Sequence, residues 1–179
     1  MSILSQFMLF AEYNKLMNQR IMASATRLST KDLTDDRGAF FKSVIGTLNH
    51  VLVGDIIWLK RFSTRPGNAK ALLYVTRLDQ PEALDTILFD NLNDLQTARA
   101  KIDEVIIDWI SGLSEDDVAA YLYYRNMAGK PRKKLLASLI SHLFLHQVHH
   151  RGQATTLISQ SGVDFGDTDL LEIVDDQSA

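Results

Sequence analysis

The chain has 179 residues, 46% apolar and 23% charged, which is the balance of a folded protein with one buried core and not of a disordered segment. Against 19 basic residues stand 22 acidic ones, a formal net charge of -3 that argues against a dominant nucleic-acid-binding surface. Cysteine is absent, which excludes disulfides, thiolate catalysis by the protein and Cys-rich zinc sites. No apolar run approaches the ~18 residues of a transmembrane helix, and no charged leader precedes an apolar block, so the expectation is a cytoplasmic protein without a membrane partner.

A first helix is expected from Ser2 to Leu28, with Leu4, Phe7, Met8, Ala11, Met17, Ile21 and Leu28 toward one side. The turn-rich run Ser29 to Gly38 breaks it. A second helix should run from Phe40 to Phe62, where Val44, Leu48, Val51, Asp55, Trp58 and Phe62 form a seam at alternating steps of four and three. The polar stretch Arg61 to Lys70 leads into a connection that continues to Glu82, with a helical turn near Ala71 to Val75. A third helix begins at Pro81 or Asp90 and ends at Ser111 with Gly112 as its cap. Its seam is Leu95, Ala98, Ile102, Val105 and Trp109. Ser114 and Asp117 form a weak capping pair.

The Tyr-rich segment Val118 to Lys130 reads as an irregular excursion or hairpin. Helix four is expected from Pro131, in a first-turn position, to Ser159, with Lys130 to Lys134 as its solvated start. Beyond Gly162 an acidic tail carries Leu170, Leu171, Ile173 and Val174, which should pack on the domain or on a partner before the last residues fray. The pattern indicates an all-α four-helix bundle with one longer crossover and a small excursion before the last helix. It reads as a single domain over 1–179, with 163–179 as a C-terminal tail.

Four of the five histidines, His142, His146, His149 and His150, lie on helix four. At ~100° per residue His146 and His150 share the apolar face, while His142 and His149 flank it. Imidazoles four residues apart on a helix can bring two nitrogens to one metal ion. The same pair fits a hydrogen-bonded polar cluster, or an exposed pair without a role. Gln147 stands where a zinc protease of the His-Glu-x-x-His type has its general base, so that chemistry is excluded. His50 is the remaining histidine, beside the seam of helix two, with Gly46 and Gly54 on its own side. Those glycines suit either a pocket lining or a close helix crossing. Trp58 and Trp109 read as core residues, and Tyr121, Tyr123 and Tyr124 as residues that could close over a pocket.

The run HLFLHQVHHRGQ, His142 to Gln153, together with LNHVLVGDIIWLKRF, Leu48 to Phe62, resembles the DinB family of the DinB/YfiT-like superfamily of metal-binding four-helix bundles. Further stretches similar to that family are Phe89 to Asp103, Tyr124 to Pro131 and Gly166 to Val174, so the resemblance extends over nearly the whole chain. It implies a three-histidine metal site at His50, His146 and His150, with an open coordination position, on a bundle that often forms homodimers. Nickel or zinc is the implied ion, with iron or manganese as further candidates.

Asp55 could cap polar groups at a bundle seam, pair with Arg61 or another base, or orient His149 or His150 across the bundle, and Arg151 could form an ion pair or anchor an anionic substrate or the tail near Asp167 and Asp169. His142 and His149 are candidates for orienting a ligand or touching substrate. Some members of the wider superfamily use low-molecular-weight thiols, which a bound ion would activate without a protein cysteine. The expectation is therefore a metal-dependent, thiol-dependent S-transferase acting on a small molecule. A metal-dependent hydrolase is the first alternative, and a non-enzymatic stress-related protein with a structural metal is the second.

Overall fold

A computed structural model describes residues 2–68 and 70–174. Four long helices form the bundle: α1 (Ile3–Ala25), α3 (Val44–Ser63), α5 (Leu92–Ser111) and α7 (Leu136–Ser159). The short helices α2 (Thr30–Thr34), α4 (Leu73–Thr76) and α6 (Glu115–Val118) sit in the connections. α1 packs against α5 and α7, and α3 packs against α7 and α5, so each long helix has two neighbours. The long crossover is the one from α3 to α5. Among the described residues no helix is long and apolar enough to cross a membrane.

The helix starts follow local capping chemistry. Ser2, Ser43 and Asn91 each accept a backbone N–H from the first turn through the side chain. Ser43 moves the start of α3 beyond the expected Phe40, and Asn91 moves that of α5 to Leu92. Ser114 and Asp117 complete a reciprocal capping box, with both of its bonds formed, and Asp117 also pairs with Arg65.

The largest correction lies before α7. Pro131–Leu135 is not a helix start but a strand, β2, paired antiparallel with β1 (Tyr121–Arg125) in the register Tyr121 to Leu135. Pro is tolerated at the first residue of an edge strand as well as in a first helical turn. The turn between the strands decides the matter: Asn126 Oδ1 accepts from the N–H groups of Ala128 and Lys130, and Gly129 takes φ +72°. β2 then runs directly into α7 at Leu136, whose N–H donates to Ala120.

Phe62 and Trp109 stack at 4.7 Å in the centre of the apolar core, so Trp109 is the core residue expected. Trp58 is half-buried and lies at the edge of a cleft. The tail returns along α1, where Arg20 donates to the Asp167 carbonyl and pairs with Glu172, and Arg27 donates to the Asp164 carbonyl. Its apolar run forms a 3-10 turn over Leu170–Ile173, with Leu171 exposed. The expected fraying concerns 175–179, outside the described residues.

Candidate metal centre

His146 and His150 project from α7 toward α3, where His50 meets them. His50 Nε2 lies 3.1 Å from His146 Nε2 and 3.1 Å from His150 Nε2. Metal–nitrogen bonds of ~2.0–2.1 Å set neighbouring ligand nitrogens ~2.8–3.4 Å apart across octahedral and tetrahedral geometries. The spacing fits one divalent ion. No carboxylate belongs to this convergent group.

The chemistry of the far ring nitrogens supports the same fit. His50 Nδ1 is 2.7 Å from the carbonyl oxygen of Leu84, which can only accept, so Nδ1 carries the proton and Nε2 a lone pair. His150 Nδ1 donates to Gln153 Oε1 over 2.8 Å, with the same consequence. Two lone pairs therefore face each other, an arrangement that a cation between them would stabilise. Burial pulls the His50 imidazole down to about 4 and, together with neighbouring imidazoles, His146 to about 3, while burial also lowers His150. At neutral pH these rings are in the uncharged form that ligates metals.

Asn49 holds the Leu84 loop in place. Fully buried beside His50, it accepts from the N–H groups of Leu88 and Phe89 and donates to the Phe89 carbonyl. Phe41 supplies one wall, stacked on His50 with ring centroids 3.7 Å apart. Its turn places the next residue, Lys42, at φ +67°. The glycines of α3 serve close approach: a Cβ on Gly54 would fall 2.7 Å from His146 Cε1, and one on Gly46 2.2 Å from the Phe41 carbonyl oxygen.

A cleft of about 500 Å³ opens beside His50 and His146, with Trp58, Arg61, Leu84, Tyr124 and His142 along it. His142 stays solvent-exposed at the rim, 5.1 Å from the Trp58 ring and 5.9 Å from that of His146, and partial desolvation of its ring, with Arg61 nearby, lowers its pKa. Of the three tyrosines, Tyr124 lines this cleft, whereas Tyr121 and Tyr123 are exposed around Lys133. His149 is exposed on the far side of His150, where Gln153 Nε2 meets its Nε2 at 3.3 Å.

Asp55 and Arg151 belong elsewhere. Asp55 is fully buried and pairs with a base other than Arg61, accepting from Arg99 Nη1 at 2.5 Å and from Gln147, and not from a histidine. The seam angle that turns Asp55 away from His50 points it at α5 and α7 instead. Burial pushes its carboxyl up and the Arg99 guanidinium pulls it back. Arg99 also pairs with Asp103, which accepts from Asn14 and Asn18. Arg151 donates to Asn14, Asn18 and Gln147, and Gln147 returns to Asp55. The bonds close into a ring of seven buried residues drawn from all four long helices. Arg151 is thus a buried tie with its guanidinium over Tyr13, and the tail is held by Arg20 and Arg27 in its place.

The residues missed by sequence reasoning have uneven signals. Gln153 stands three positions after His150, a spacing that puts both on one helical face. Arg99 and Asp103, like Asn14 and Asn18, are polar i,i+4 pairs inside apolar seams. Phe41 and the Leu84 carbonyl give no local signal.

Residues 1–177 match the sequence profile of the DinB family, and the chain belongs to that family. It is similar to Protein DinB of Bacillus subtilis (strain 168), with 23% identity over 158 residues covering 88% of this chain and 87% of that protein. No solved structure matches it.

Proposed function

We propose that the protein is a divalent-metal-dependent enzyme in which His50, His146 and His150 are the ligands, and that it transfers a group to or from a low-molecular-weight thiol. The observation that carries the metal reading is the meeting of three Nε2 atoms, two of them stripped of protons by Leu84 and Gln153. When bound, the ion supplies a positive charge that lowers the pKa of a coordinating thiol. The chain's own residues keep the imidazoles neutral, hold their rings at fixed angles and give the cleft an aromatic wall. Three imidazoles suit nickel or zinc, and also iron, with manganese a weaker match.

Thiol transfer is favoured over hydrolysis because, among the described residues, the convergent group holds no carboxylate to take a proton from water, and Asp55 is committed to Arg99. The purely structural metal reading is weakened by the cleft that reaches His50 and His146.

The test begins with elemental analysis of untagged protein purified without added metal, beside His150→Ala. Near-stoichiometric nickel, zinc or iron in the parent and its loss in the variant are expected. The loaded parent should then accelerate the reaction of cysteine with 1-chloro-2,4-dinitrobenzene, forming the C–S bond and releasing chloride. A parent that neither carries nor takes up these ions defeats the metal reading. A loaded protein that leaves thiols untouched yet hydrolyses esters or amides favours the hydrolase.

A further inference from the structure

The cleft beside His50 and His146 continues outward under the β1–β2 hairpin into a second depression bordered by Lys60, Glu82 and Arg125. Arg61 borders both parts. It follows His50 by eleven residues on α3, which at ~100° and ~1.5 Å per residue returns it to the same face roughly 16 Å along the axis. One helix therefore carries a candidate metal ligand at one end of the cleft and a cation at the other.

Several cations lie near the outer part, but three are already engaged. Lys60 Nζ donates to the Leu78 carbonyl over 2.5 Å, and Arg125 Nη1 to the Gly129 carbonyl over 2.7 Å. Arg65, one turn on, pairs with Asp117. Arg61 differs: among the described residues its side chain has no hydrogen-bonded acceptor and no carboxylate within 4.0 Å. It is half-buried, with its guanidinium 4.6 Å from the Trp58 ring centroid and 5.2 Å from that of Tyr124. Two aromatic rings hold the cation in one place and leave its N–H groups for an acceptor.

We propose that Arg61 is the anion-binding end of a two-point substrate site. It pairs with a carboxylate, phosphate or sulfonate of a small molecule whose opposite, metal-seeking group reaches His50, His146 and His150. The apolar body between them lies along Trp58 and Met127, which flank the connecting stretch. Arg61 then selects substrates by charge and by length. The inner end of this assignment rests on the metal reading above, and the outer end on Arg61 alone.

The experiment titrates cobalt-loaded parent, Arg61→Gln and Arg61→Lys with mercaptoalkanoates of increasing chain length and with the mercaptoalkanols of equal length. The readout is the thiolate-to-cobalt absorption band. In the parent the carboxylates should bind on the order of tenfold more tightly than the alcohols at a favoured length, as expected for a charge-assisted bidentate contact. Arg61→Gln should lose that preference with unchanged cobalt content, and Arg61→Lys should keep part of it. Equal affinities for acid and alcohol at every length in the parent overturn the proposal, whichever variants fold. If the parent takes up no cobalt, the metal reading fails separately. Saturation-transfer NMR on metal-free protein then decides the outer end: a carboxylate preference lost in Arg61→Gln upholds it, and equal signals overturn it.

Discussion

The imidazole of His146 occupies the space that a side chain at position 54 would need, since a Cβ on Gly54 would stand 2.7 Å from His146 Cε1. Gly54→Ala should therefore displace the ring while sparing the fold, because Ala favours a helix interior over Gly by ~1 kcal/mol. The expected result is a fall in metal affinity of at least ~10-fold, the range seen when ligand orientation is disturbed. Competition with a chromogenic chelator measures it. An unchanged affinity would remove His146 from the proposed ligands.

Gln153 fixes His150 through its Nδ1. Gln153→Leu should weaken metal binding by ~10–100-fold. Gln153→Glu, which keeps an acceptor and adds negative charge, should bind the ion at least as tightly as the parent. Isothermal titration with zinc separates the two, and equal losses in both variants would contradict this role.

The pH dependence of stability has a definite sign. His50 and His146 fall from 6.5 to about 4 and about 3 on folding. Between those values the unfolded chain binds more protons than the native one, so stability rises with pH across that window. Metal-free protein should thus lose stability as pH falls from about 6.5 toward 4, with no such contribution above about 7. Urea midpoints of the parent and of His146→Gln, compared across this range, test it. The variant should show the shallower slope, which also separates the histidine effect from the opposing one of the raised Asp55 carboxyl.

Breaking the buried ring should be costly. Removing one partner of a buried ion pair leaves an uncompensated charge, typically ~3–5 kcal/mol. Asp55→Ala should lower unfolding stability by about that amount, since it strands Arg99 and Gln147 together. Chemical denaturation checks the figure. A loss below ~1 kcal/mol would mean that the ring contributes little to stability.

Much of the bundle was legible because apolar residues at steps of three and four mark Val44 to Phe62 and Leu95 to Trp109. His146 and His150 were readable together for the same reason, being one helical turn apart. His50 was harder: its face is apolar nearly all round, so periodicity alone could not aim it, and the family resemblance supplied it. The Leu84 carbonyl escaped entirely, because a backbone acceptor delivered by a loop leaves no side chain to notice. The start of α7 was misread since Pro131 suits a strand edge as well as a first helical turn, and only pairing with Tyr121 to Arg125 decides between them. Asp55 was placed on the right seam, but its partner could not be named before the buried Arg99 was known to face it.

The ring that joins Asn14, Asn18, Asp55, Arg99, Asp103, Gln147 and Arg151 has a geometric corollary. Apolar seams tolerate axial slip, because one leucine resembles another a turn away. Directional bonds do not. Sliding α7 by one turn against α3 would carry Gln147 ~5.4 Å from Asp55 and carry His146 and His150 the same distance from His50. The charged ring thus works as an alignment pin, locking the two helices at the single offset where their imidazoles can meet.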